Sequence, residues 1–144
     1  MTFQVSALSQ NDFVMIQITD THLLEYPHLE FVGMHPEQSF HAVIDLMRQQ
    51  HPHIDLIVHT GDLAQNPTPV TYNRYLQHMQ SLGIPFFHTP GNHDDVVHFP
   101  FHESDQTQVT VVEVGKWCIS LLNSAQPQRI DGKIADGQLA QLTR

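Results

Sequence analysis

Short apolar runs and helical periodicities alternate along the first part of the chain. Residues 13–19 (FVMIQIT) are rich in β-branched and apolar side chains and predict a buried strand. Pro36 opens PEQSFHAVIDLMRQQ, where Phe40, Val43, Ile44 and Met47 recur at i, i+3, i+4 and i+7, one face of a helix. Pro36 suits the first turn, where its missing N–H is no loss, and Glu37 suits the positive end of the helix dipole. Residues 55–59 (DLIVH) predict a second strand. Pro67 and Pro69 mark a loop; Tyr72, Tyr75, Leu76 and Met79 form a second helical stripe, with Gly83 as its expected C-cap. Residues 84–88 (IPFFH) predict a third strand. Strand–helix–strand–helix–strand at these spacings implies parallel strands with right-handed crossovers.

After Asp95 the rhythm changes. Residues 109–114 and 117–122 are β runs joined across Gly115-Lys116, the pattern of an antiparallel hairpin. Residues 134–144 predict the start of a helix, with Asp136 as N-cap and Leu139 and Leu142 as apolar contacts. Two turns are short against the usual helix of about 11–12 residues, so the domain reads as unfinished. No element is assigned before residue 13. MTFQVSALSQND has no sustained apolar core and the first base is Arg48, so no signal peptide is expected.

Composition narrows the class. The chain has 144 residues, one domain or a large piece of one. With 40% hydrophobic and 15% charged residues it resembles a soluble globular protein rather than a disordered tail. A net charge of −9 argues against a broad nucleic-acid surface. No apolar run approaches the roughly 18 residues of a membrane helix. Cys118 is the single cysteine, which excludes an intramolecular disulfide and any multi-cysteine metal cluster; it reads as an inert thiol on a buried strand. The twelve histidines all lie between His22 and His102. Histidine is the commonest transition-metal ligand, so that placement matters.

Three polar clusters each follow a predicted strand: ITDTH with Asp20 and His22, HTGDLAQ with Gly61 and Asp62, and TPGNHDD with Gly91, Asn92, His93 and Asp94. Ligands of open α/β sheets bind outside the carboxyl ends of the strands, so parallel strands bring all three clusters to one rim. Asp20, Asp62 and the Asn92 amide offer oxygen, and His22 offers nitrogen. This mixed set suits Fe, Mn, Zn or Co better than Cu(I) or calcium. Asp62 leaves the central strand, where its carboxylate can bridge two ions, and two ions can clamp a phosphoryl group. Gly61 and Gly91 let the backbone approach closely or take positive φ. His93 can protonate or bind a phosphate.

The ordered set Asp20-x-His22, Gly61-Asp62 and Gly91-Asn92-His93-Asp94 resembles the calcineurin-like metallophosphoesterase superfamily. DTHL, TGDLAQ, PGNHD and the later WCISLLNSAQP…GKIADGQLAQL are similar to the bacterial class III cyclic-nucleotide phosphodiesterases, over about residues 13–144. The resemblance implies an αββα sandwich, here the N-terminal parallel or mixed sheet with flanking helices and the start of the second half, as part of a single domain over residues 1–144. It implies that Asp20 and His22 hold a first metal, Asp62 bridges, Asn92 holds the second, His93 is catalytic and Asp94 orients its neighbours. The family completes its site with further histidines in a downstream motif and a Gly-His-x-His pair; no histidine follows His102. Relatives carry an acid after the residue matching Gln65, where this chain has Asn66, which leaves the partner that orients the motif histidine unassigned.

The implied activity is hydrolysis of a phosphodiester, 3′,5′-cyclic nucleotide to 5′-nucleotide, in the cytoplasm, on a small-molecule substrate and with little turnover by these 144 residues alone. Two alternatives stay open. One is a metallophosphoesterase of another substrate class: nucleotide pyrophosphatase, nuclease or protein phosphatase. The other is a non-catalytic fragment that pairs with a second copy or with a complementing C-terminal half, because a missing sheet leaves an unpaired edge and an apolar face. The remaining histidines read as bland. His41 and His78 are expected in solvent, His28, His35, His51 and His53 in loops, His98 and His102 in a packing loop, and His59 and His88 in the core or beside the site.

Overall fold

The computed structural model describes residues 2–7, 12–103 and 107–143. Its elements run β1 (Thr2–Val5), β2 (Met15–Ile18), α1 (Pro36–Gln50), β3 (Leu56–His59), α2 (Pro69–Ser81), β4 (Phe86–His88), β5 (Thr110–Val114), β6 (Trp117–Leu121) and α3 (Asp136–Leu142). They form two three-stranded sheets. One has the order β2-β3-β4 and is all parallel; the other has the order β1-β5-β6, with β1 parallel to β5 and β6 antiparallel. The expected α/β class, with three parallel strands and an antiparallel hairpin after them, is observed; β1 turns the hairpin into a second, mixed sheet.

Strand β3 explains the layering. All four of its residues are buried, and alternate residues face alternate sides. Leu56 and Val58 join Val5, Phe87, Val112 and Val114 in a core between the two sheets. Ile57 points the other way, into a core with Phe40, Ile44 and Met47 of α1 and Tyr72, Tyr75 and Met79 of α2. The order is therefore helix layer, first sheet, second sheet.

Helix α1 begins at Pro36, as the sequence predicts, but Val43 is 52% exposed. Val43 falls at the edge of the buried stripe and lines a groove instead. Helix α2 starts on Thr68, whose hydroxyl accepts the Thr71 N–H, and Pro69 fills its first position. Leu82 is its C-cap residue; Gly83 follows at φ +67°, a conformation that favours glycine. The two-residue Gly115-Lys116 loop joins β5 to β6, with Gly115 at φ +58°.

Four expectations need correction. Residues 2–5 form a strand, β1, whose partner β5 lies more than a hundred residues away. Cys118 is exposed, because β6 is an edge strand with its first two residues open to solvent. Helix α3 is capped by Ala135, with Asp136 already inside it, and Arg144 lies outside the described residues. Its buried residue is Gln138, whose amide accepts the Asn123 N–H at 2.8 Å and donates to the Asn123 carbonyl at 2.9 Å; Leu139 and Leu142 are each 47% exposed.

Two histidines pack against each other beside α2. The His88 N–H donates to His102 Nε2 at 2.9 Å, and His88 Nε2 donates to the Pro100 carbonyl at 2.6 Å. Burial lowers the His102 pKa to about 4 and lowers that of His88 as well. A proton on His102 Nε2 would remove the acceptor of the His88 amide. A base with a lowered folded pKa is protonated more readily in the unfolded chain. Its stabilising effect is therefore present above about pH 6.5 and is lost as pH falls toward 4. Urea unfolding at pH 7.5 and pH 5 is expected to show about 2 kcal/mol less stability at the lower pH from His102 alone, and His102→Gln to flatten that dependence. An equal slope in the variant would contradict the assignment.

Candidate metal centre

The three strands of the first sheet end on the same rim, and their pairing continues beyond the strand ends. Thr60 donates its N–H to the Ile18 carbonyl and Thr89 to that of His59, each at 3.0 Å. The loop after β2 then runs beside the loop after β3: Asp20 N–H to Gly61 O at 3.0 Å, His22 N–H to Asp62 O at 3.0 Å, and Leu23 N–H to Leu63 O at 2.9 Å. Asp20, His22 and Asp62 take φ values of +56°, +46° and +53°. Such left-handed backbone costs about 1–2 kcal/mol per non-glycine residue. Among the described residues five non-glycines adopt it, and three of them are these motif residues. Strain concentrated in this way marks functional sites.

These side chains converge. His22 Nε2 lies 3.6 Å from Asp20 Oδ1 and 3.7 Å from Asp62 Oδ2, and donor atoms of all three fall within 4.8 Å of one another. His22 Nδ1 lies 3.1 Å from Gln65 Oε1. That bond fixes the ring so that Nδ1–H donates and the Nε2 lone pair faces the carboxylates. Gln65 is thus the orienting partner that the sequence left unassigned, one residue before Asn66. Asp62 is nearly buried, whereas Asp20 is largely exposed and its Oδ2 accepts the Thr19 hydroxyl at 2.6 Å. Two carboxylates and an imidazole fit a borderline divalent ion such as zinc, manganese, iron or cobalt.

The loop after β4 closes on the same point. A Cβ on Gly91 would sit 2.1 Å from Asp62 Oδ1, and a Cβ on Gly61 would sit 2.9 Å from Gly91 Cα. Only two glycines allow this approach. His93 N–H donates to Asp62 Oδ1 at 2.9 Å, and the His93 ring stands edge-on to His22 with centroids 5.1 Å apart. Asn92 lies exposed between Gly91 and His93, both of which touch Asp62.

Asp94 fastens the loops together. Its Oδ2 accepts the N–H of Gly91 at 2.9 Å and of Leu63 at 3.1 Å; its Oδ1 accepts the Ala64 N–H at 3.2 Å and the Tyr72 hydroxyl at 2.9 Å. Burial raises the Asp94 pKa above the usual carboxylate value, against the pull of those donors. Burial, reinforced by Asp94, holds the Tyr72 phenol well above its ordinary value. Tyr72 is therefore a permanent donor, and its oxygen accepts the Asp95 N–H at 3.1 Å. Sequence periodicity marked Tyr72 as core alone. Beneath the rim, burial lowers the His59 pKa to about 4; its ring meets the Thr21 hydroxyl at 3.0 Å, and that hydroxyl donates to the Leu63 carbonyl. His98 and His102 stand elsewhere, on Asp95 and His88 respectively.

A groove of about 430 Å³ adjoins Asp20 and His22, walled by Phe31, Val32, Met34 and Phe40. Two substitutions separate orientation from architecture. Gln65→Leu is expected to weaken divalent-ion affinity about 10–100-fold, read by competition with a chromophoric chelator, while Tm stays near wild type. Gly91→Ala is expected to lower both, because the added carbon and the Asp62 carboxylate cannot share the space.

Comparison with known proteins identifies the family. A family model described as calcineurin-like phosphoesterase matches residues 13–132. The chain is 31% identical over 91% of its length to the 3′,5′-cyclic adenosine monophosphate phosphodiesterase CpdA of Pseudomonas aeruginosa, covering 48% of that protein. It is 32% identical over 90% of its length to CpdA of Escherichia coli, again covering 48%. A probable cyclic nucleotide phosphodiesterase of Synechococcus is 34% identical over 85% of the chain. The chain spans about half the length of the curated relatives it matches. With the family model covering most of its residues, the chain belongs to the calcineurin-like phosphoesterases.

Proposed function

We propose that residues 1–144 supply the N-terminal part of a single calcineurin-like phosphoesterase domain, and that the complete protein is a two-metal phosphodiesterase converting a 3′,5′-cyclic nucleotide to a 5′-nucleotide. The reading rests on one observation above others: Asp20, His22 and Asp62 bring three donor atoms within 4.8 Å of one another. Asp20 and His22 hold one ion, Asp62 is shared, and Asn92 serves the second. When bound, two such ions polarise a phosphoryl group and make water nucleophilic near neutral pH.

The chain's own residues then have distinct duties. Gln65 keeps the His22 lone pair directed at the ion. Asp94 and Tyr72 hold the 91–95 loop so that Asn92 and His93 stay on the rim. His93 is exposed and edge-on to His22, where it can bind a phosphoryl oxygen or donate a proton to the leaving 3′ oxygen. The adjoining groove has the volume of a small-molecule pocket, which supports a mononucleotide over a polymer. The net charge of −9 points the same way. No helix among the described residues is long and apolar enough to cross a membrane, and a cytoplasmic location is part of the proposal.

A substrate panel tests the reading. Cyclic AMP and cyclic GMP are expected to be hydrolysed by the complete protein with divalent metal, and dinucleotides, single-stranded DNA and phosphoproteins poorly. Asp62→Asn is expected to abolish that activity and His93→Ala to lower kcat by about 10²–10⁴ with metal content unchanged. Preference for any of the other substrates would replace the cyclic nucleotide in this assignment. The 144-residue chain alone is expected to bind metal weakly and turn over little; robust hydrolysis of bis(p-nitrophenyl) phosphate by it would show that the site is sufficient as it stands.

A further inference from the structure

A second cluster of metal-binding side chains lies where α1 meets α2, and it shares no residue with the strand rim. Glu37 and His41 stand one turn apart on α1, and His78 comes from α2. Donor atoms of all three lie within 4.8 Å of one another. Glu37 is 8% exposed, the His78 side chain 24% and the His41 side chain 49%. The expectation that both histidines lie in solvent holds for His41, which is exposed, and fails for His78, which is half-buried for a structural reason. The helices pack side by side with Phe40 between them, and its ring lies 5.6 Å from His41 and 5.7 Å from His78.

The geometry exceeds what a hydrogen bond needs. His78 Nε2 lies 2.5 Å from Glu37 Oε1, so one imidazole already serves that oxygen. His41 Nε2 faces the same oxygen at 3.7 Å, beyond hydrogen-bond reach, and its ring stands edge-on to His78 at 4.5 Å. The other carboxylate oxygen, Oε2, is held by Arg74 Nε at 3.2 Å. Arg74 thereby fixes the carboxylate and leaves Oε1 directed at the two rings. Its own charge is spread over the carbonyls of Leu24 and Glu25, which its two terminal nitrogens contact. Zinc bonded to nitrogen and oxygen at about 2.0–2.1 Å in a tetrahedron sets its ligands about 3.3–3.5 Å apart. The His41 distance is within a few tenths of an ångström of that edge, and the His78 ring must recede by about 0.8–1.0 Å.

We propose that Glu37, His41 and His78 bind a transition-metal ion, zinc foremost, as a clamp between α1 and α2. The fourth position opens to solvent beside His41 and takes water. Two imidazoles and one carboxylate match the donor preference of zinc, nickel and cobalt rather than calcium or magnesium. The clamp is independent of the phosphodiesterase reading, because it uses none of that site's ligands.

Chelator-stripped complete protein, titrated with zinc chloride against a chromophoric indicator, tests the proposal. His41→Ala is the informative variant: it leaves the Glu37–His78 bond and the Glu37–Arg74 pair in place and puts a good helix former at a half-exposed position. It is expected to bind one zinc equivalent fewer than wild type, or to bind that equivalent at least about tenfold more weakly. The Asp62→Asn background separates the two sites. There, the clamp equivalent is expected to persist and then to vanish when His41→Ala is added. Cobalt gives a second readout: a tetrahedral absorption band present in Asp62→Asn and absent from the double variant. Equal zinc stoichiometry and affinity in Asp62→Asn with and without His41→Ala would overturn the proposal, leaving the cluster as a hydrogen-bonded helix contact.

Discussion

The rim depends on a backbone ladder that outlasts its strands. Hydrogen bonds between the loops after β2 and β3 continue through residues 20–23 and 61–63, and an isolated bridge joins Leu23 to Ala64. Within that ladder the residues alternate in purpose. Asp20, His22 and Asp62 take left-handed backbone at the rim, while Leu23, Leu63 and Ala64 have no exposed surface. Three left-handed residues cost about 3–6 kcal/mol at 1–2 kcal/mol each. Burying the two leucines contributes about 1.5–3 kcal/mol apiece, which offsets a cost of that size. The strained rim residues are thus held by the anchors beside them in sequence.

The third loop is secured differently. Residues 91–95 form no backbone ladder with the loop after β3; two carboxylates bridge them, Asp62 to the His93 N–H and, above all, Asp94. Asp94 accepts amides from both loops and the hydroxyl of a helix residue, Tyr72. A buried carboxylate is stable only with its lone pairs satisfied. The same requirement that makes Asp94 costly to bury makes it a strong geometric constraint, since moving either loop would strand the charge. Tyr72 belongs to α2, so the packing of that helix on the sheet also sets where Asn92 and His93 stand.

Much of this was legible in the sequence, and the remainder was hidden for identifiable reasons. Pro36 marked the start of α1, Gly115-Lys116 marked the hairpin, and three polar motifs after three apolar runs gave the rim, because each signal is local. Strand β1 was missed because four residues carry too little periodicity and their partner is remote. Leu139 and Leu142 satisfied a helical pattern, yet the docking of α3 is made by the Gln138 amide on the Asn123 backbone, a contact no periodicity encodes. Gln65 and Tyr72 escaped notice because their value lies in one distant partner each, His22 and Asp94. Cys118 and His78 were misjudged for a common cause: exposure depends on which elements become neighbours, and that is a property of topology.

Arg74 connects the helix layer to the rim. Its guanidinium pairs with Glu37 on α1 and donates to the carbonyls of Leu24 and Glu25, directly after the Asp20–His22 turn. Leu24 and Glu25 have left the strand ladder, so their carbonyls need donors from elsewhere. One planar group of five N–H donors can serve both while still holding a carboxylate, which a lysine could not do with the same geometry. The position of the loop after β2 therefore depends on α1 and α2 staying in register, as that of the loop after β4 depends on Tyr72. Two side chains of α2 only two residues apart, Tyr72 and Arg74, reach the loop after β4 and the loop after β2 respectively. A rigid helix with two such contacts fixes the spacing of the flanking loops, and with it how the rim residues of those loops stand relative to Asp62.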